Sequence, residues 1–152
     1  MSFPILSFLT FFPLVGVIFI LLRRGSDEVV ERSSKNISVL VSVINFIVSL
    51  FLWSKFDTVN SNFQFVEETQ WIKNFVSYKM GIDGISIFLV LLTTFISPLC
   101  IFAAINSLKK RIKEFLITIL IMQTFMIGVF CALDLFLFFL FFEGGLIPMF
   151  LI

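Results

Sequence analysis

The chain has no histidine and only two cysteines, and charged residues make up just 14% of it. Each scarcity removes a class of chemistry. Without histidine the commonest ligand for haem, zinc or copper is gone, so a redox centre held by this chain is not expected. Cys100 and Cys131 both sit in apolar runs with no second ligand nearby; they read as small packing residues rather than as a disulfide or metal pair. Soluble domains carry about a quarter charged residues, well above the fraction here. No basic surface of the kind nucleic-acid binding requires can be assembled from the remainder. Glycine-rich nucleotide loops, catalytic triads and metal-ligand spacings are also missing.

What the chain has instead is apolar residue, 59% of the total, including 23 phenylalanines, with a mean hydropathy of +1.11. These residues fall into five runs, approximately 3–22, 37–53, 85–105, 115–133 and 135–152. Each is close to the ~20 residues that a membrane-spanning helix needs. Open backbone cannot face lipid, and the runs lack the alternation of barrel strands. The expected fold is therefore an all-α polytopic membrane protein with about five helices and no separate soluble domain. The N-terminus lacks the basic flank of a signal peptide, so the first run is expected to stay as a helix.

Basic residues orient this bundle. Arg23, Arg24, Arg32 and Lys35 follow the first run, and Lys109, Lys110, Arg111 and Lys113 follow the third. Alternating helices put both groups on one side, read as the cytoplasm or matrix, with the N-terminus outside. Trp53, Trp71 and Tyr78 then fall at the outer interface, where amphipathic rings prefer to sit. The stretch 54–84 is the only substantial outward loop. Short alternation at Phe63–Phe65 and Val76–Met80 fits a small hairpin on the membrane surface, and an irregular loop with anchoring aromatics fits equally well. Asp83, in Gly81-Ile82-Asp83-Gly84-Ile85-Ser86, stands where a helix cap is needed.

Nearly all charges lie between the runs or at their borders; Asp134 and Glu143 are the exceptions. Glu143 lies nine residues past Asp134, or about 14 Å along a helix, near the middle of a hydrocarbon core about 30 Å thick. Acids at such depth are costly and usually belong to ion or proton paths. Low dielectric favours the protonated form and a nearby cation favours the ionised one, so a group poised between them can exchange a proton. A glutamic acid that merely hydrogen-bonds a neighbouring helix is the structural alternative. Pro148 removes a backbone donor in the same run, and Gly144 and Gly145 allow close helix approach, so either a local break or ordinary packing is expected there. Ser42, Asn45 and Ser49 share one helical face. With Thr93, Thr94, Ser97, Gln123 and Thr124 they could line a hydrated path, although interhelical hydrogen bonding is the commoner use of such residues.

Two stretches carry a family resemblance. Phe141-Phe142-Glu143-Gly144-Gly145-Leu146-Ile147-Pro148-Met149 resembles the fifth-helix motif of the antiporter-like subunits of respiratory complex I, the bacterial chain M and mitochondrial subunit 4 of NADH:quinone oxidoreductase. Gly81-Ile82-Asp83-Gly84-Ile85-Ser86, followed by Leu89-Val90-Leu91-Leu92-Thr93-Thr94-Phe95, is similar to that family's third-helix entrance. The resemblance implies a proton-translocating subunit of the complex's membrane arm, in the bacterial or mitochondrial inner membrane. Such subunits have about fourteen helices with two inverted repeats containing broken helices. It further implies that Glu143 forms half of an ion pair with a lysine on a later helix. NADH, FMN, iron–sulfur clusters and quinone would be handled by other subunits, with no cofactor bound here. The partners implied are other membrane-arm subunits and the lipid bilayer, not nucleic acid.

The lysine and the broken helices are not among these residues, so the chain is expected to be the N-terminal part of a longer protein and not to pump by itself. Two alternatives remain at this stage. One is the corresponding subunit of a multi-subunit sodium/proton antiporter or membrane-bound hydrogenase. The other is a small non-transporting scaffold whose acid is structural.

Overall fold

The computed structural model describes residues 3–152, which form five helices and one hairpin. In order these are α1 (Ile5–Leu22), α2 (Asp27–Ser54), β1 (Gln64–Ile72), β2 (Val76–Ile82), α3 (Ser86–Ser107), α4 (Ile112–Cys131) and α5 (Leu135–Leu151). The first four helices are long and apolar enough to cross a membrane. Helix α5, with 17 residues, is about 26 Å long, at the short end of what a span requires.

Helix α2 extends well beyond its apolar run. It starts ten residues before Ile37, so Arg32 and Lys35 lie on helix rather than in a loop, and the first connection shrinks to residues 23–26. The cause is local chemistry that hydropathy does not register. Asp27 and Glu28 occupy the first turn, where carboxylates favour the positive end of the helix dipole. Glu31 pairs with Lys35 one turn on, at 2.6 Å. The turn before the helix is made by Gly25, whose φ of +146° favours a residue without a Cβ.

The stretch between α2 and α3 is a hairpin, which decides between the two readings of that segment. β1 and β2 pair antiparallel, with an irregularity between Gln64 and Glu67 where Phe65 takes a left-handed conformation. Asn74, also left-handed, makes the tight turn at Ile72–Phe75, a conformation that asparagine tolerates better than most residues.

Helix α4 is the hub, packing against α1, α2, α3 and α5. Helices α1 to α4 enclose two apolar cores. One lies under the hairpin, built on Leu6, Leu9, Leu52, Met80, Ile87, Val90, Ile127 and Cys131. The other lies at the end that carries the basic turns, built on Val17, Ile20, Val41, Ile101, Leu116 and Leu120. Cys131 is a buried core residue and Cys100 is exposed; both are free.

Candidate functional site

Asp134 begins α5. Its Oδ1 accepts the Phe136 N–H at 2.8 Å, and Oδ2 accepts from the Ser77 N–H at 3.0 Å and the Ser77 hydroxyl at 3.1 Å. One side chain therefore caps the helix and ties it to the hairpin. These donors hold its carboxyl below the usual carboxylate range.

From that fixed start, α5 turns one face to α4. Phe141 lies against Gly128, where any Cβ would meet its ring at 2.5 Å, and Gly144 lies against Phe125 with the corresponding distance 2.6 Å. Phe141 also approaches Phe125 edge-on and Phe11 of α1. The glycine pair thus serves close packing, at Gly144 above all. Pro148 is buried and does not break the helix, which runs on to Leu151 with the Ile152 N–H bonded to the Pro148 carbonyl.

Each residue advances a helix by about 100°, so the packing of Phe141, Gly144 and Pro148 turns Glu143 away from α4. The carboxylate is exposed on the open face of α5. Among the described residues it has no hydrogen-bond or ion-pair partner. The side chain therefore faces outward from the packed side of α5. Hydropathy gives depth, but only the packing glycines reveal direction. The Gly144–Phe125 contact sets Glu143 level with the outer half of α4, about 7.5 Å from its Cys131 end. The basic residues 109–113 lie at the start of that helix, far from the acid.

The polar residues of the bundle are buried: Ser42, Asn45, Ser49, Thr93, Thr94, Ser97, Gln123 and Thr124. One pair bonds between helices, Ser49 with Thr94 at 2.7 Å. Otherwise the hydroxyls turn to carbonyls of their own helices, as Ser42 does to Val39, Thr93 to Leu89 and Ser97 to Thr93. Thr93, Ser97 and Gln123 also form part of the lining of a mostly apolar groove of about 300 Å³ between α3 and α4.

A further carboxylate, Glu67, carries no sequence signal for its role. It reaches from β1 to the start of α1, where Oε1 accepts the Leu6 N–H at 2.7 Å and Oε2 the Ser7 N–H at 3.1 Å, with the Ser7 hydroxyl also bonded. Ser7 in turn meets Tyr78 at 2.6 Å. Burial pushes the Tyr78 phenol up. Asp83 caps α3 as its position predicts, accepting from Ile85 at 3.1 Å and Ser86 at 2.7 Å. These bonds draw its carboxyl below the ordinary range.

A family model described as NADH-ubiquinone oxidoreductase chain 4, amino terminus, matches residues 9–129. The chain belongs to this family. It is 48% identical over 149 residues to NADH-quinone oxidoreductase subunit M of Rhodobacter capsulatus, covering 97% of this chain and 29% of the relative. It is 43% identical over 148 residues to NADH-ubiquinone oxidoreductase chain 4 of Marchantia polymorpha, covering 97% and 29%. The Mycosarcoma maydis chain 4 is 42% identical over 147 residues, covering 97% and 30%. The chain thus spans about three tenths of the length of these relatives. Membership in this family and four spanning helices make it a multi-pass protein of the inner membrane. The antiporter, hydrogenase and scaffold alternatives are not favoured.

Proposed function

We propose that this chain forms the amino-terminal part of a proton-translocating membrane-arm subunit of NADH:quinone oxidoreductase, with Glu143 as its proton-exchanging group. One observation carries the reading: a carboxylate about 14 Å into an apolar helix faces outward from the packed side of that helix. A side chain with a purely structural role would be expected on the packed face, where Asn45 and Gln123 are found.

The chemistry follows from position. In hydrocarbon a carboxyl group keeps its proton, and an approaching cation favours its release. The open face of α5 leaves room for a lysine on a further helix, the partner that the resemblance implies. Movement of that cation toward and away from Glu143 would load and unload the carboxyl. Helices α1 to α4 and the hairpin contribute rigidity: Asp134 fixes where α5 starts, and Gly128 and Gly144 fix how closely it lies on α4. The hairpin end faces outward and the basic turns inward. Flavin, iron–sulfur clusters, NADH and quinone are handled by other subunits, and pumping requires the rest of the membrane arm.

The test is Glu143→Gln in the assembled complex, read as NADH-driven proton uptake in inverted membrane vesicles. Glutamine keeps the size and polarity and removes the exchangeable charge. Most of the uptake should be lost, with quinone reduction slowed alongside it. Wild-type uptake at equal complex content would falsify the assignment.

A further inference from the structure

Between the two apolar cores of the α1–α4 bundle lies a slab with different chemistry. On α4 the cores claim Leu116 and Leu120 on one side and Ile127 and Cys131 on the other; Gln123 and Thr124 fall between. On α2 they claim Val41 and Leu52, with Ser42, Asn45 and Ser49 between. On α3 they claim Val90 and Ile101, with Thr93, Thr94 and Ser97 between. Each of these polar residues is buried. Helix rise gathers them in one slab about 10 Å deep. The position of Gly16 is crowded by both Val41 and Leu120, so α2 and α4 are level there. Asn45 lies four residues on from Val41 and Gln123 three on from Leu120, about 6 Å and 4.5 Å in the same direction. From the Ser49–Thr94 contact, Asn45 and Ser97 lie back by four and three residues, again about 6 Å and 4.5 Å.

Two members of this layer have no protein partner. Both side-chain atoms of the Asn45 amide and both of the Gln123 amide are buried without a hydrogen bond among the described residues. These residues are 0% and 2% exposed. Their neighbours cannot serve the amide oxygens, because the hydroxyl hydrogens are committed. Thr94 is bonded to the carbonyls of Val90 and Leu91, Ser97 to Thr93 and Thr124 to Leu120. Pro98 has no N–H, so the Thr94 carbonyl loses its ordinary helical donor in the same layer. The slab therefore holds unpaired groups of both kinds, the amide N–H donors and oxygens of Asn45 and Gln123 and the Thr94 carbonyl. Water supplies donors and acceptors together, and buried water is found where several otherwise unsatisfied polar groups converge.

We propose that this layer is an internal water site, held by the amides of Asn45 and Gln123 with the oxygens of Ser49, Thr94 and Ser97. It is separate from the proton-exchanging role of Glu143 and does not depend on it. Gln123 lies on the side of α4 away from Phe125 and α5, about 4.5 Å along the bundle axis from the level of Glu143.

The chain contains three glutamines, of which Gln64 and Gln70 lie in or at the end-on hairpin and Gln123 alone in a spanning helix. The full chain, amide-labelled at glutamine and asparagine and placed in lipid bilayers, is measured by water-to-side-chain magnetisation transfer in solid-state NMR. Gln123 should receive water magnetisation as the two hairpin glutamines do, and Asn45→Leu should reduce that transfer several-fold. A silent Gln123 beside two responsive hairpin glutamines would mean a dry layer and overturn the proposal. So would a direct Gln123–Asn45 amide correlation without water transfer. Undiminished transfer in Asn45→Leu would show that the two amides do not share the site and would equally overturn it.

Discussion

Three carboxylates at the hairpin end and one in the middle of α5 share a functional group and differ in almost everything else. Glu67, Asp83 and Asp134 each accept at least two backbone N–H bonds, and each fixes the start of a helix. Glu143 has no partner among the described residues and faces away from the packed side of its helix. Charge-assisted bonds at helix starts hold structure, because they satisfy donors that the helix itself cannot. An acid without such bonds, opposite the glycine contacts that pack its helix, fixes no helix start.

Breaking the contrast from the structural side should have the largest effect on stability. Glu67→Ala removes the acceptors for Leu6 and Ser7 and detaches the hairpin from α1. It should cost about 3 kcal/mol of unfolding free energy, as expected for lost hydrogen bonds to a partly buried charge at a helix start. Steric-trap unfolding in bilayers would measure it, and a change under half that size would show that the hairpin is held by apolar contacts alone. Gly128→Ala comes next. Its Cβ would meet the Phe141 ring at 2.5 Å, so α5 must move, at about 1–2 kcal/mol for overpacking. Crosslinking between cysteines placed on α4 and α5 should become less efficient, and proton pumping should fall although Glu143 is untouched.

Acidification should weaken the caps more gently. The Asp83 and Asp134 carboxyls are held below their ordinary range by N–H donors. Their stabilising contribution is therefore complete above the unfolded carboxyl range and disappears as pH falls through their lower folded values. Asp83→Asn and Asp134→Asn together should flatten the acid limb of a thermal-stability profile by lowering stability at neutral pH, while leaving the acid end little changed. An acid limb of unchanged steepness would refute the capping account. The smallest stability effect belongs to Glu143→Gln, within about 0.5 kcal/mol of the original, as for a surface exchange away from packed contacts.

Much of this arrangement was legible beforehand, for physical reasons. Apolar runs near span length reported the helices, and the spacing from Asp134 to Glu143 reported the distance along α5, because both depend on local rise and hydropathy. The ten extra residues of α2 escaped a hydropathy reading, since Asp27, Glu28 and the Glu31–Lys35 pair make helix without apolar content. Glu67 escaped entirely: it joins segments 60 residues apart, and nothing local to β1 signals a helix cap. The direction of Glu143 was also hidden. It depends on Gly128 and Gly144 meeting Phe141 and Phe125, a match between two helices that neither shows alone.

The central claim is that the four acids divide into structural and proton-exchanging groups, and one paired measurement tests it most directly. Assembly and NADH-driven proton pumping are recorded together for Glu67→Gln and Glu143→Gln in the complex. The account predicts that Glu67→Gln loses pumping only in proportion to lost assembly, whereas Glu143→Gln assembles normally and loses most of its pumping. Normal pumping in Glu143→Gln, or a loss explained wholly by failed assembly, would contradict it.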